Sequence, residues 1–144
     1  MFAPMMRSLL LGLVLLASCG PMPRDPDGTL DRVRHDRVFR VGVVPADSTA
    51  DQAAWRRIVG RIASETGARP RFRTGTTEPL LLDLEAGHLD LVVGGRFASD
   101  TPWKTRVTLG HALRADGRTA AHIVARNGEN AWIVLVQRIT KQAS

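Results

Sequence analysis

The 144-residue sequence is long enough for one small domain with a single hydrophobic core but too short for two full lobes, because domains commonly have about 100 to 150 residues. Its 20 lysine and arginine residues against 14 aspartate and glutamate residues give a formal net charge of +6. The arginines are scattered without interleaved aromatic residues, which argues against a nucleic-acid partner and indicates a solvated basic face. Such a face favours anionic lipid headgroups or an acidic ligand.

The first 18 residues have the order of a secretory signal. Arg7 precedes the apolar run LLLGLVLL, residues 9–16, which is followed by small residues. The run is shorter than the roughly 20 residues that span a bilayer, although an uncleaved membrane anchor stays open as an alternative. LASC, residues 16–19, resembles the lipobox of bacterial lipoproteins, in which the cysteine is diacylated and becomes the mature N-terminus. Lipidation of Cys19 would also explain a lone cysteine in an exported protein.

Three segments are therefore predicted: a lipoprotein signal peptide over residues 1–18, a flexible tether over 19–29 and one domain over 30–144. The tether prediction rests on the proline-, aspartate- and glycine-rich stretch from Pro21 to Gly28. We expect the folded part to begin near Leu30.

The first two predicted elements of the domain are a strand and a helix. The β-branched run VFRVGVV, residues 38–44, ends at Pro45 and is typical of a strand buried on both faces. After Asp51, apolar residues recur at helical spacing as far as Ile62, and the pattern ends at Gly67. An amphipathic helix is therefore expected to follow the strand.

A second strand is predicted over residues 69–73, and Pro79 opens a second helix that ends at Gly87. A third apolar strand, residues 89–93, is closed by two glycines. This alternation predicts a parallel sheet with right-handed crossovers and helices on its faces, a three-layer α/β sandwich. Two more strands are predicted over 106–109 and 119–125.

A last amphipathic helix is predicted over residues 131–141. Trp132, Ile133, Leu135, Val136 and Ile139 form its apolar side.

Two segments carry a resemblance to a known family: VFRVGV, residues 38–43, and EPLLLDLEAGHLDLVVGG, residues 78–95. Together they resemble the extracellular solute-binding proteins of ABC importers, specifically the polar amino-acid type. The resemblance covers roughly residues 30–113. It implies a single lobe of a periplasmic-binding-protein-like (type II) fold and a lipid-anchored solute-binding component of a transporter, facing the periplasm. A permease and a small polar or anionic solute are the implied partners.

The sequence departs from this family in two ways. The predicted strand over 119–125 runs almost directly into the final helix, so the second lobe that closes over the solute is missing; a homodimer could supply a second jaw. Family members usually place serine or threonine after the third strand and an arginine beyond it, to clamp a carboxylate. Gly94 and Gly95 occupy the first places and Pro102 or Trp103 the last, so the resemblance does not carry amino-acid specificity over to this chain. Arg96 or Lys104 is the candidate substitute for the charge partner, with a different geometry.

Three loops are expected to meet beyond the carboxyl ends of the parallel strands, where open α/β sheets bind ligands. They contain Asp47 after the first strand, Thr76 and Thr77 after the second, and Gly94, Gly95 and Arg96 after the third, with Trp103 and Lys104 further along. The threonine hydroxyls suit a carboxylate at a helix N-terminus, or simply cap that helix. The glycines permit close approach of a ligand or provide a turn, and Trp103 stacks on a solute or covers the edge of the core.

Catalytic patterns are not evident. Asp83 and Glu85 do not face each other on a helix, so they form no acid–base pair. The four histidines, His35, His88, His111 and His122, lack metal-ligand spacing. We therefore expect a binding protein without catalysis, metal or cofactor. The alternative is an accessory lipoprotein that keeps the fold for contact with a membrane protein and no longer binds solute.

Overall fold

The computed structural model describes residues 25–143, so the predicted signal and Cys19 lie outside the described residues. The helices are α1 (Thr29–Asp36), α2 (Thr49–Thr66), α3 (Thr77–Glu85) and α4 (Asn130–Ala143), with a 3-10 turn at Pro102–Thr105. The strands are β1 (Val38–Val43), β2 (Arg69–Thr74), β3 (Leu91–Val93), β4 (Arg96–Ala98), β5 (Val107–Asp116) and β6 (Thr119–Arg126).

All six strands form one sheet in the order β2-β1-β3-β6-β4, with β5 paired to β6. β1 runs parallel to β2 and β3, as the alternation of strands and helices predicts. β6 runs antiparallel to β3, β4 and β5. The α/β class and the parallel β2-β1-β3 unit are therefore confirmed.

Helices cover both faces of the sheet and bury two apolar clusters. On one face, residues of α1, α2 and α4 pack on β1, β3 and β6, with Val33, Ile62 and Trp132 fully buried. On the other face, Leu81 and Leu84 of α3 pack on Val92 and residues of β4 to β6. The three-layer arrangement is confirmed.

The two crossover helices begin and end close to where the sequence predicts. Ser48 precedes α2, and its hydroxyl accepts a hydrogen bond from the Asp51 amide at 3.3 Å, which satisfies one free N–H of the first turn. Gly67, at φ 65°, follows the last residue of α2. Burying one apolar stripe of each helix on the sheet then fixes the β-α-β order in space.

The structure differs from the expected start of the fold at Leu30. Glu129 is only 1% exposed and accepts hydrogen bonds from the backbone amides of Asp27 and Thr29, both at 3.0 Å. The Asp25 carboxylate accepts a bond from the Ala131 amide at 2.7 Å. Residues 25–29, expected within the tether, are therefore fastened to the start of α4.

Two further elements were not predicted, and two were predicted too short. The unpredicted elements are α1 and the three-residue strand β4. The strands predicted over 106–109 and 119–125 form a longer hairpin in which Asp116 pairs with Thr119. Within residues 25–143, none of the helices is both long and apolar enough to span a bilayer.

Candidate functional site

The loops that follow β1, β2 and β3 meet at one edge of the sheet, which we call the carboxyl edge. The Val44 amide donates to the Val93 carbonyl at 2.9 Å, and the Gly75 amide donates to the Val43 carbonyl at 3.1 Å. The convergence follows from the parallel pairing of β1 with both neighbours.

Gly94 occupies the tightest point of this edge. It has φ +84°, and a Cβ built on it would lie 2.1 Å from the Val44 carbonyl oxygen. Its close approach is therefore to the protein's own backbone. At Gly95 a Cβ would lie 3.0 Å from the Phe97 ring. Gly94 therefore lets the end of β3 lie against the residue after β1, whereas the absence of a side chain at Gly95 leaves room for the Phe97 ring.

The N-terminus of α3 supplies polar groups at the same edge. Thr76 is the residue before the helix and is exposed, and its hydroxyl makes no capping hydrogen bond. Thr77 is the first helical residue and is half-buried. The Thr76 hydroxyl is therefore not used for capping. Together with the first amides of α3, it forms the kind of helix N-terminus that binds a carboxylate or another anion.

Arg96, a candidate charge partner for the solute, is bound by the protein itself. Its side chain is 24% exposed and donates to Asp51 through Nη1, and to the Thr119 hydroxyl and carbonyl, both at 3.2 Å. Asp116 lies 2.9 Å from Nη2. The hydrogen bond to Asp51 raises the pKa of Arg96. An anionic solute would have to compete with these carboxylates for the guanidinium.

Asp51 is the residue at this edge that sequence reasoning missed. It lies in the first turn of α2 and is only 3% exposed. Oδ2 accepts from Arg96, whereas Oδ1 lies 3.3 Å from Arg114 Nε without making a hydrogen bond. The spacing Ser48-x-x-Asp51, a capping pattern, is the sequence signal that places an acid at this turn. Both oxygens of this buried carboxylate therefore face arginines of the protein, which balance its charge.

The remaining candidates are less closely grouped. Asp47 is exposed in the loop after β1. Trp103 is half-buried against the second apolar cluster, and the Arg106 guanidinium lies 4.4 Å from its ring centroid. Lys104 is exposed, with Nζ 3.4 Å from the Ser99 carbonyl. Trp103 therefore covers the edge of the core, which is the second of the two roles predicted for it.

A groove of about 770 Å³ lies between β4 and the β5–β6 hairpin, next to Arg96. Phe97, Leu109 and Ala112 give it apolar walls, and Lys104 and His122 are polar lining residues. Thr76 and Asp47 do not line it. Among residues 25–143 no cluster of three or more histidine, cysteine or acidic side chains is arranged to hold a metal ion.

Solved structures share this fold. The arginine-bound form of domain 1 from TmArgBP superposes with a TM-score of 0.63 at 14% identity, over 78% of this chain and 98% of that one. An amino-acid ABC transporter substrate-binding protein from Streptococcus pneumoniae, bound to L-arginine, gives a TM-score of 0.66 at 8% identity, over 80% and 91%. The chain has the fold of one lobe of an amino-acid-binding protein.

Reconstructed ancestral proteins share the fold as well. An ancestral cationic amino-acid solute-binding protein gives a TM-score of 0.65 at 12% identity, over 79% of this chain and 93% of that one. A second structure of the same ancestor, at 13% identity, is described as a precursor of cyclohexadienyl dehydratase. The four structures named above are all described as binding proteins. No protein-family model and no curated protein sequence matches this chain.

Proposed function

We propose that this chain is a lipid-anchored, extracytoplasmic solute-binding component of an ABC-type transporter. The observation that carries the proposal is the open N-terminus of α3 at the carboxyl edge of a lobe with this fold. TmArgBP domain 1 is described as arginine-bound, which supports solute binding by one lobe.

The charges at the carboxyl edge favour an amino acid as the solute. The Thr76 hydroxyl and the first amides of α3 suit a carboxylate, and the exposed Asp47 suits an ammonium or guanidinium group. A solute with both charges can place its carboxylate at the α3 N-terminus and its positive group near Asp47. A cationic amino acid, with its positively charged side chain, fits this arrangement best. Because one lobe leaves the solute partly in water, we expect micromolar or weaker affinity, about −8 kcal/mol at best.

Thr76→Ala should weaken L-arginine binding about tenfold, because a hydrogen bond to a charged group contributes roughly 1.5 to 3 kcal/mol. Isothermal titration of the chain from residue 19, carrying Cys19→Ser, measures this after a thermal-shift screen of amino acids, organic acids and polyamines. Ser64→Ala, an exposed hydroxyl on α2, is the matched control and should leave affinity unchanged. Equal affinity in both variants would rule out the α3 N-terminus as the site.

Asp47→Asn tests the cationic end of the solute. The variant should weaken L-arginine binding more than binding of a neutral amino acid, because the lost interaction is with the side-chain guanidinium. The ratio of the two affinities in titrations of wild type and variant gives the answer. An unchanged ratio would assign the loop after β1 no part in solute selection.

Cys19→Ser should abolish lipidation and signal cleavage, given the order of residues 16–19. Intact-mass spectrometry of membrane fractions from a bacterial host should find a diacylglyceryl mass on wild type and an uncleaved, unlipidated variant. A mature wild-type protein without that mass would contradict the anchor.

An accessory lipoprotein is the second candidate function. Arg96 favours it, since its guanidinium is engaged by Asp51, Asp116 and Thr119 and is not free for a solute. If no compound in the broad screen binds, this function replaces the first. If a second copy of the chain supplies the missing jaw, the apparent affinity for solute rises with protein concentration. If a single copy binds the solute, the affinity is independent of protein concentration.

A further inference from the structure

The outermost strand β2 presents a row of arginines on the side of the sheet that α3 covers only in part. Side chains alternate along a strand, and Phe72 packs toward α2 whereas Arg73 bonds Asp83 of α3. Arg69 and Arg71 therefore lie on the α3 side with Arg73, and both are exposed. They have no carboxylate partner among residues 25–143.

Arginines from two other elements extend this row. Arg40 of β1 is the register partner of Arg71. Arg32 and Arg40 border one shallow depression together with Arg71, and Arg37 borders an adjoining one with Arg69 and Arg71. We call this surface the arginine face; its five arginines are Arg32, Arg37, Arg40, Arg69 and Arg71.

The arginine face carries a surplus of positive charge. The exposed Asp36 borders both depressions, and the buried Asp90 bonds both Arg32 and Arg40. Asp27 and Glu129 border the pocket beside Arg32 and Arg40, where Asp27 pairs with Arg126 and Glu129 accepts from backbone amides. Arg37, Arg69 and Arg71 have no ion-pair partner among residues 25–143, and these three leave a local excess of positive charge. Each guanidinium can donate two parallel hydrogen bonds to a phosphate, which makes arginine well suited to phosphate groups.

The arginine face lies where the described chain begins. Asp25 is tied to the start of α4, and Asp27 lines the same pocket of about 470 Å³ as Arg32 and Arg40. We call this end of the sheet, where β1 and β2 begin, the amino edge. The length of β1, six residues or about 20 Å, separates it from the carboxyl edge. Cys19 precedes Asp25 by six residues, which span at most about 20 Å when fully extended.

We propose that the arginine face binds the anionic phospholipid headgroups of the bilayer. The proposal uses the anchor of the proposed function only for proximity, since the tether is short enough to hold the face at the lipid surface. The domain then lies with its amino edge on the bilayer and its carboxyl edge facing the compartment, where solute can reach it. Each arginine near an anionic surface strengthens attachment about fivefold.

The test uses the chain from residue 19 with Cys19→Ser, which has no lipid and contains every described residue of the folded body. Vesicles of phosphatidylcholine with 30% phosphatidylglycerol should sediment it, and vesicles of phosphatidylcholine alone should not. Raising NaCl from 50 to 300 mM should release it, because salt screens surface charge. Equal sedimentation with both vesicles would overturn the proposal.

A pair of double variants locates the surface. Arg69→Gln with Arg71→Gln should weaken binding to the anionic vesicles about 25-fold, the product of two fivefold losses. Arg56→Gln with Arg57→Gln removes the same charge from exposed positions on α2 and should change binding less than about twofold. Equal losses in both pairs would show attraction by net charge alone and overturn the assignment to this face.

Two further measurements distinguish binding to the bilayer from binding of free phosphate and from unfolding of the variants. Release of the chain by 10 mM inorganic phosphate at constant ionic strength would indicate a site for free phosphate and overturn binding to a bilayer. Because the assay contains neither a lipid anchor nor a solute, its failure leaves the Cys19 and L-arginine measurements unaffected. Unchanged melting temperatures of both double variants would tie the losses to the surface and not to unfolding.

Discussion

Asp90→Leu is expected to lower the free energy of unfolding by about 1.5 to 3 kcal/mol, the range for hydrogen bonds to a charged group, because the Arg32 and Arg40 side chains that remain are 33% and 36% exposed and solvent screens their charge. The carboxylate is 3% exposed and accepts from the Arg40 amide at 2.7 Å, from Arg40 Nε and Nη2 at 3.1 and 2.8 Å, and from Arg32. These bonds raise the pKa of Arg40. Without Asp90 the Arg40 amide loses its side-chain acceptor and both guanidinium groups lose their counter-charge.

Urea denaturation followed by circular dichroism measures the loss. Asp31→Leu, which removes an exposed carboxylate from the first turn of α1, is the control and should cost less than about 1 kcal/mol. If Asp90→Leu unfolded within about 1 kcal/mol of the wild-type protein, the ion pairs would contribute little, and the amino edge would be held by apolar packing alone.

Asp90 ends the segment LEAGHLD, residues 84–90, which is part of the longer segment 78–95 that resembles the solute-binding family. Its aspartate joins α1, β1 and β3 at the amino edge and lies at the opposite end of the strands from the candidate solute site. The Trp132 indole of α4 also donates to the Asp90 carbonyl at 2.9 Å. Asp90 therefore stabilises the architecture of the lobe at the edge opposite the candidate solute site.

The sequence predicted those helices and strands whose signals lie within their own segment. The apolar spacing of α2 and the glycine beyond its end lie within one segment, and α2 spans Thr49–Thr66 as that pattern requires. The segment of α1 has few apolar residues, and its first turn is bonded by Glu129 from 100 positions away. No local pattern could show that contact, so the helix was missed.

The hairpin and β4 show a different limit. The strand β5 has register shifts between Leu109 and Arg114, which interrupt the alternation that a strand prediction uses. Gly117, at φ 52°, is the first of the two turn residues between Asp116 and Thr119, and a glycine at that position was a signal for the tight turn. β4 has only three residues and exists because β6 lies beside it.

Convergence of the three loops could be predicted from strand order, whereas the charge balance at the edge could not. Parallel strands bring their carboxyl ends together whatever their side chains are. The pairing of Arg96 with Asp51 joins residues 45 positions apart and depends on the packing of α2 against β4 and the hairpin. The sequence thus identified Arg96 as a charged group at the edge but not the carboxylate that binds it.

Gly94→Ala is expected to lower the free energy of unfolding by about 3 kcal/mol or more and to abolish L-arginine binding. A side chain at φ +84° is strained by about 1 to 2 kcal/mol, and the new Cβ would lie 2.1 Å from the Val44 carbonyl oxygen. Because that oxygen belongs to the backbone, the ends of β1 and β3 must separate. The loop after β1 then moves away from the N-terminus of α3.

Gly60→Ala is the matched control, since a Cβ there meets nothing within 4 Å in the middle of α2. This substitution should stabilise the protein by about 0.4 to 1 kcal/mol and leave affinity unchanged. Thermal unfolding and titration of both variants with L-arginine separate the two effects. A stable Gly94→Ala protein with lost binding would place the solute directly against the Gly94 backbone. A stable variant that binds like the wild type would contradict the role of this contact in holding the carboxyl edge together.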